Sequence, residues 1–396
     1  MEPLYLTAYT LTNALGAGKQ ASLDALLSGR TGLQPNDFPD VSLDTFIGRV
    51  PGLETMPVRN DLAMFDCRNN RLAQLTLQQD GFENTVVQLK KRYASERIAV
   101  VLGTSTSGIL STEEAFKARD PETGALPDGF SFRHTHDIFS VADFVQHYFQ
   151  LAGPAFVVST ACSSSAKVFA DAYRLIYSGL ADAALVGGVD SLCLTTLYGF
   201  NSLELVSSEI CRPADAQRTG LSLGEGGGFA ILEKMPGNSV PAIQLLGYGE
   251  SSDAYHMSTP HPEGLGARMA MEQALERAAL APQQVDYINL HGTATPTNDS
   301  VEDRAVAALF ANRVPGSSTK GWTGHTLGAA GITEIIFGCL SIEHRFIPAS
   351  LNTREVDPAF GGHIQLTTAH GDVNTVLSNS FGFGGNNCSL IIGKEA

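Results

Sequence analysis

Two spacings of apolar residues alternate along this chain. Short runs rich in branched and aromatic residues, bounded by glycine, proline or polar residues, read as buried strands. They lie at 3–9, 98–103, 156–159, 183–186, 228–232, 285–290, 376–379 and 388–392. Apolar residues recur every three to four positions over 20–28, 163–177, 266–279, 300–310 and 328–344, the period of a helix. In the second of these, Ala166, Phe169, Ala170, Tyr173 and Ile176 share one face, and Gly179 stands just beyond it as a C-terminal cap. Such alternation implies an α/β architecture with largely buried sheets. A seam at Met235-Pro236-Gly237-Asn238 divides the chain into portions 1–237 and 238–396, each with strand–turn–helix units. No sequence repeat between the two portions is visible.

Composition supports this picture. The 396 residues are 43% hydrophobic and 17% charged, enough for a sizeable dry core and against disorder. A formal net charge of −15 disfavours non-specific nucleic-acid binding, so an acidic partner would need a local basic patch. The six cysteines are widely spaced, with no CxxC pair and no disulfide framework, so a reducing cytoplasm is the expected compartment. The first residues lack a basic n-region, and no run of about 18 apolar residues predicts a membrane span.

The run Phe156-Val157-Val158 stops at Ser159-Thr160-Ala161 and is followed by one thiol, Cys162, and then by a helix. The free N–H groups and positive dipole end of a helix favour a thiolate and lower its pKa. A buried, space-filling cysteine is the plainer alternative. Two histidines add chemistry. His291 ends a strand-like run before the loop Gly292-Thr293-Ala294-Thr295-Pro296, with a helix expected from Asp299. Lys320 and His325 share a Gly-rich loop, Gly328, Ala329, Ala330 and Gly331 permit close helix packing, and Glu334 follows. Each alone also reads as a turn or surface residue. A thiol at a helix start together with two histidines in Gly/Thr loops is the equipment of an acyl-thioester site. Phe381-Gly382-Phe383-Gly384-Gly385 adds glycines able to adopt positive φ and bring N–H groups to a ligand, or simply to make a tight turn. Gly224-Glu225-Gly226-Gly227-Gly228 lacks the Lys-Ser/Thr of a phosphate loop and reads as close packing beside a strand. Residues 103–108 read as a strand-to-helix turn, and His256 and His261 lack a third ligand at metal-site spacing, so no metal is expected there.

With these motifs in this order, the chain resembles the elongating β-ketoacyl–acyl-carrier-protein synthases of the thiolase superfamily, the condensing enzymes of fatty-acid and type II polyketide synthesis. The resemblance runs from YLTAYTLTNALGAG and ALLSGRTGL through TACSSS, CRPADAQRTGLSLGEGGGFAILE, AYHMSTPHPEG, LHGTATPTND and STKGWTGHTLGAAG to NSFGFGGNN. It implies a five-layered αβαβα thiolase-like fold with duplicated halves, normally an obligate dimer, acting on substrates carried by acyl carrier protein and needing no cofactor of its own. It implies Cys162 as the acyl-accepting nucleophile and His291 and His325 as the pair assisting malonyl decarboxylation. Lys320 would support the second histidine and Glu334 would be a structural acid near that lysine. Thr293 and Thr295 would bind the phosphopantetheine arm, Phe383 would be the gate, and the N–H groups of Cys162 and Phe383 the oxyanion hole. Arg68 and Arg71 lie where related enzymes carry basic carrier-docking residues, with Lys117, Arg119 and Arg133 as further contributors; the alternative reading is a set of solvated surface charges. Two departures stand out. Thr106 occupies an acyl-tunnel position where glycine or isoleucine is usual, which would suit an unusual or unsaturated chain. Asn386-Asn387 replaces the more usual Thr-Asn after the gate. Such details resemble synthases of dedicated pathways, such as aryl polyene or polyketide clusters. A non-catalytic chain-length subunit of a heterodimer shares the fold but usually lacks the nucleophile. A thiolase would carry a second cysteine at the gate loop, where this chain has Phe383 between Gly382 and Gly384.

Overall fold

Ten strands carry the architecture: β1 (Leu4–Asn13), β2 (Ile98–Gly103), β3 (Ala155–Val158), β4 (Ala183–Asp190), β5 (Gly226–Glu233), β6 (Ile243–Ser252), β7 (Tyr287–Asn289), β8 (Pro315–Ser317), β9 (Thr375–Gly382) and β10 (Asn386–Lys394). The computed structural model describes residues 1–235 and 243–394. The expected seam around 235–238 and the division at 237/238 therefore fall largely outside the described residues. In the first half β1 runs antiparallel to β5, β5 antiparallel to β4, β4 parallel to β2 and β2 parallel to β3. In the second half β6 runs antiparallel to β10, β10 antiparallel to β9, β9 parallel to β7 and β7 parallel to β8. The same series of pairings occurs twice, so the duplication invisible in the sequence is plain in the topology. The two sheets meet edge to edge through a short contact, with Leu4 opposite Leu245 and Leu6 opposite Ile243.

Helices make the other three layers: α1 (Arg68–Leu77), α2 (Phe82–Arg92), α3 (Ser140–Phe149), α4 (Ser164–Tyr177), α5 (Leu194–Ser202), α6 (Leu265–Ala278), α7 (Pro296–Phe310) and α8 (Ala330–His344). α1, α2 and α3 cover the outer face of the first sheet, and α6, with α7 against it, covers the second. α4 and α8 lie between the sheets, α4 on β2 and β4 and α8 on β9 and β5, and they touch each other. This is the expected five-layered αβαβα fold. Its largest apolar cluster fills the middle layer, from Leu4, Phe169 and Val186 to Ile332, Phe337 and Ile392.

The small residues at the start of α8 serve the predicted purpose. A Cβ on Gly331 would lie 2.6 Å from the Ala166 backbone nitrogen, so the two central helices cross at backbone contact. Ile332 N–H donates to Ser165 Oγ across that crossing, at 3.0 Å. Residues Leu327–His344 have the length and mean hydropathy (1.2) of a membrane span, but 89% of the segment is buried between the sheets. The glycines of 226–228 also act as expected. A Cβ on Gly227 would meet Thr76 Oγ1 at 2.8 Å and one on Gly228 would meet Ile332 Cγ1 at 2.9 Å.

The apolar pattern missed β6, because glycines interrupt it at 247 and 249. The cause is α6: Cβ atoms there would lie 2.2 Å from Ala274 O and 1.8 Å from Ala270 O. β8 has only three residues, too few for any periodicity. The outer helices α1, α2, α3 and α5 were also missed. α1 is mostly polar in sequence, RNNRLAQLTL, although eight of its ten residues are buried. α7 starts at Pro296 rather than Asp299, with proline at its first position, where the missing N–H costs nothing.

Candidate active site

Both central helices aim their N-terminal ends at one point. Cys162 lies in a single 3₁₀ turn, Ala161–Ser163, ahead of α4, and His325 lies just before the 3₁₀ turn that leads into α8. The turn before α4 is tightly specified. Thr160 N–H donates to Ser164 Oγ, Ser164 Oγ donates to Ala161 O, and Ser163 Oγ donates to Thr160 O. Ala161 is held at φ 52°, Ala294 at 66° and Leu327 at 55°, left-handed conformations that L-residues adopt only under constraint. One such residue stands beside each of Cys162, Thr293 and His325.

His325 Nε2 is 3.0 Å from Cys162 Sγ. Its Nδ1 accepts from Leu327 N–H at 3.3 Å, which leaves the proton of the neutral ring on Nε2 in the resting geometry. His291 stands edge-on to His325, ring centroids 5.4 Å apart and planes 85° apart. Lys320 Nζ lies 3.4 Å from His291 Nδ1, donates to His291 O and is ion-paired with Glu334. All five residues are buried. Burial first, and then the Lys320 ammonium, push both imidazoles well below their ordinary pKa, so both are neutral at physiological pH. Burial pushes the Glu334 carboxyl up to about 7 against the pull of Lys320.

The thiol corrects the sequence expectation. A helix N-terminus should lower its pKa, yet Cys162 is pushed up to about 11. Full burial outweighs the pull of Lys320 and of the Phe383 and Cys162 N–H groups. The resting side chain is therefore a thiol, and the neighbouring His325 nitrogen is the group placed to exchange a proton with it.

A cavity of about 190 Å³ opens from Cys162, His291 and His325 to solvent. Thr293 and Thr295 line it, their hydroxyls 2.9 Å apart. Phe383 sits on its wall, in a loop whose Gly384 and Gly385 have φ of 76° and 72°. Phe200 of α5 stacks on Phe383 at 5.4 Å and meets the His325 ring edge-on at 6.4 Å. With Leu203, Leu205 and Leu221 it forms the apolar side of the cavity.

Three expectations change. Thr106 does not line this cavity; it is 2% exposed, and its hydroxyl donates to Asp190 Oδ1 at 2.8 Å, so its polarity is spent inside the protein. Arg68 is not available for docking. Its side chain is 7% exposed and is ion-paired with the fully buried Glu225 and with Glu54. Arg71 is a quarter exposed and pairs with Asp66. Arg119 and Arg133 are exposed, whereas Lys117 is engaged with Asp40. Asn386 accepts from Lys167 Nζ at 3.4 Å, and Asn387 Nδ2 donates to Asp253 at 3.0 Å, which ties the gate loop to α4 and to the cavity mouth.

Sequence reasoning missed three supporting residues. Glu302 of α7 accepts the His291 and Gly292 N–H groups at 2.8 and 2.7 Å and fixes the histidine loop. Its signal was an acid nearly two helical turns into α7, on the face turned toward the strand end. Phe200 gave no signal at all. Asp190, fully buried at the end of β4, accepts from the Thr104, Ser105 and Thr106 hydroxyls and from the N–H groups of Ser105, Thr106 and Gly328. It joins the loop after β2 to the turn after His325; an acid closing an all-apolar strand was the available clue. Asp190→Ala leaves six donors, four of them buried, without their acceptor and is expected to destabilise the fold by about 3 kcal/mol or more. The measurement is the denaturant midpoint; an unchanged midpoint at unchanged slope would remove this role.

Comparison with known proteins adds to this geometry. The beta-ketoacyl synthase N-terminal domain matches residues 1–236 and the C-terminal domain residues 243–354. A mitochondrial 3-oxoacyl-[acyl-carrier-protein] synthase of Arabidopsis thaliana is 41% identical over 259 residues, 60% of this chain but only 56% of that relative. A 3-oxoacyl-[acyl-carrier-protein] synthase 2 of Coxiella burnetii is 30% identical over 98% of both chains. Among solved structures, a ketosynthase (ApeO) in complex with its chain length factor (ApeC) from Xenorhabdus doucetiae matches with a TM-score of 0.89 and 36% identity. That match covers 100% of this chain and 98% of the other.

Proposed function

This chain belongs to the β-ketoacyl synthase family, and we propose that it acts as a 3-oxoacyl-[acyl-carrier-protein] synthase, elongating carrier-bound acyl chains by two carbons with loss of CO₂. The observation that carries the reading is the Cys162–His325 pair at 3.0 Å, facing neutral His291 at the floor of an open cavity. In the first step the Cys162 sulfur attacks the acyl thioester of the carrier. His325 gives its Nε2 proton to the departing carrier sulfur and takes the Cys162 proton in its place, and the acyl group stays on Cys162. A thiol suits both steps, as nucleophile now and leaving group later. In the second step a malonyl thioester loses CO₂, and the electron pair of the broken C–C bond becomes a thioester enolate. Neutral imidazoles donate hydrogen bonds to its oxygen without first losing a proton, which is why a cationic Lys320 beside them is useful. The enolate carbon attacks the Cys162 thioester, the tetrahedral oxyanion sits on the Cys162 and Phe383 N–H groups, and collapse forms the 3-oxoacyl carrier and expels the Cys162 thiolate, which takes up a proton from solvent in the cavity. Thr293 and Thr295 would hold the pantetheine arm, and the stacked Phe383 and Phe200 would swing aside to admit the acyl chain. No cofactor enters this scheme.

A second subunit is part of the reading. β3 is the edge strand of its sheet and is half exposed along its whole length, a ladder open to pairing with another chain. Phe116, Phe132 and Phe139 are exposed in the preceding segment. The relative of known structure pairs a ketosynthase with a chain length factor, and we propose a dimer of this type, homo- or heterodimeric, with exposed Arg119 and Arg133 offered to an acidic carrier protein. Six free, buried cysteines fit a reducing cytoplasm.

The test is direct. Purified protein, with acyl-carrier and malonyl-carrier proteins, should yield the 3-oxoacyl carrier two carbons longer by intact mass. The alternative of a non-catalytic chain-length subunit predicts no product and no acyl adduct on Cys162 with the protein folded. That adduct, sought with an acyl-carrier mimic, separates the two.

A further inference from the structure

The thiol and the two imidazoles are also a set of metal ligands. Cys162, His291 and His325 each offer one donor atom, all three lie within 4.8 Å of one another, and all are buried. We propose that these three side chains bind a thiophilic divalent cation such as Zn²⁺, and that the bound ion shuts off the site.

The donor set is one thiolate and two imidazoles with one position open, which suits Zn²⁺ in a tetrahedral site. Around Zn²⁺, with bonds of about 2.3 Å to sulfur and about 2.0 Å to nitrogen, ligand atoms stand roughly 3.4 Å apart. The Cys162–His325 pair at 3.0 Å is already close to that spacing. The wider separations close by up to about 1.4 Å, through small rotations of the cysteine and imidazole side chains. The vacant fourth position faces the cavity, which is also the path of entry. Imidazoles kept neutral serve the metal by moving their proton from Nε2 to Nδ1, which frees the Nε2 lone pair toward Cys162 and gives up the Leu327 N–H contact at His325 Nδ1. Binding replaces the thiol proton: Cys–SH plus M²⁺ gives Cys–S–M⁺ and H⁺, which leaves through the cavity, and no redox change occurs.

One group opposes the ion. Lys320 Nζ is 3.4 Å from His291 Nδ1, and its pairing with Glu334 neutralises it only in part. An ammonium there repels a dication and disfavours the His291 tautomer that a metal needs. Lys320 therefore has a second consequence: it guards the nucleophile against metal capture. Removing it should tighten binding, the opposite of what loss of a supporting residue does.

The experiment titrates reduced, full-length protein with Co²⁺, a spectroscopic stand-in for Zn²⁺. One equivalent per subunit should give thiolate-to-cobalt charge transfer and intense tetrahedral d–d bands, and Zn²⁺ should displace them. Both signatures should vanish in Cys162→Ser and in His325→Ala. In Lys320→Met the apparent affinity should rise about tenfold, roughly the effect of removing one partly screened like charge. Absence of the charge-transfer band in the parent protein, its survival in Cys162→Ser, or weaker binding in Lys320→Met would each overturn the proposal. The site rests on donor geometry, and only its inhibitory consequence rests on the proposed condensation. A cobalt spectrum in a protein that never condenses substrates would refute the function and leave the site standing. Condensation that proceeds unchanged in the Zn²⁺-loaded protein would refute inhibition.

Discussion

Cys162→Ala should lower condensation by about 10⁴-fold while leaving malonyl-carrier decarboxylation measurable. The two halves of that expectation come from different parts of the site. Condensation passes through an acyl group held on sulfur, and no other thiol stands near the histidines. Cys211 is buried with its sulfur 3.9 Å from the Thr293 carbonyl oxygen, and burial raises its pKa to about 12. Decarboxylation needs only a bound malonyl thioester and donors to the enolate oxygen. His291, His325 and Lys320 remain in the variant, and alanine is small enough to leave the cavity open. Acetyl-carrier formation from malonyl-carrier, followed by mass, measures the second activity in isolation. Retained condensation would end the assignment of Cys162 as nucleophile. Loss of malonyl-carrier binding in a folded variant would show that the thiol also shapes the pantetheine channel.

Lys320→Met should lower condensation by about 10²-fold or more and move the acid limb of its pH profile upward. The sign follows from two charges. Burial and Lys320 together hold the His291 and His325 pKa values well below the ordinary imidazole value. Without the ammonium, burial still acts but the like-charge repulsion is gone, so both pKa values rise. Only the neutral His325 ring can exchange its Nε2 proton for that of Cys162, and a higher pKa makes it cationic at a higher pH. Rate is then lost sooner as the solution is acidified. The thiol responds in the same direction, since Lys320 is the largest influence lowering its pKa. Condensation rates between about pH 5 and 9 test this, because that window brackets the imidazole range. An acid limb that stayed put, with the rate reduced, would make Lys320 a packing residue. A limb displaced downward would contradict the electrostatic account altogether.

Much of this site was legible because its chemistry needs rare residue types in special backbone settings. A cysteine between an apolar run and a helical period, a histidine ending another such run, and a Lys–His pair in a glycine-rich loop each leave a local mark. The fold class was legible for a similar reason: buried parallel strands are continuous apolar runs. What stayed hidden was set by contacts between distant segments. β6 carries glycines because α6 lies on it, and no window around residues 247–249 contains α6. Arg68 looks like a free surface charge until Glu225, 157 positions later, is seen beneath it. Thr106 is polar because of Asp190, not because of any substrate. The raised thiol pKa is a property of burial, which a helix start seen in sequence does not report.

The duplicated topology divides the site between its two copies. The first half brings only the thiol, at the tip of α4, and the second brings both histidines, the lysine and the gate, around the tip of α8. Neither half alone owns a working nucleophile, and the two sheets share only a short edge outside the central helix crossing. Reactivity is therefore a late event in the life of the chain. A newly made or half-unfolded molecule carries Cys162 without its base and without the Phe383 oxyanion donor, so it cannot take an acyl group out of circulation. The acyl-trapping step works as an interlock, armed only when both copies have docked. A thiol-directed acylating probe would then report completed assembly as faithfully as it reports activity.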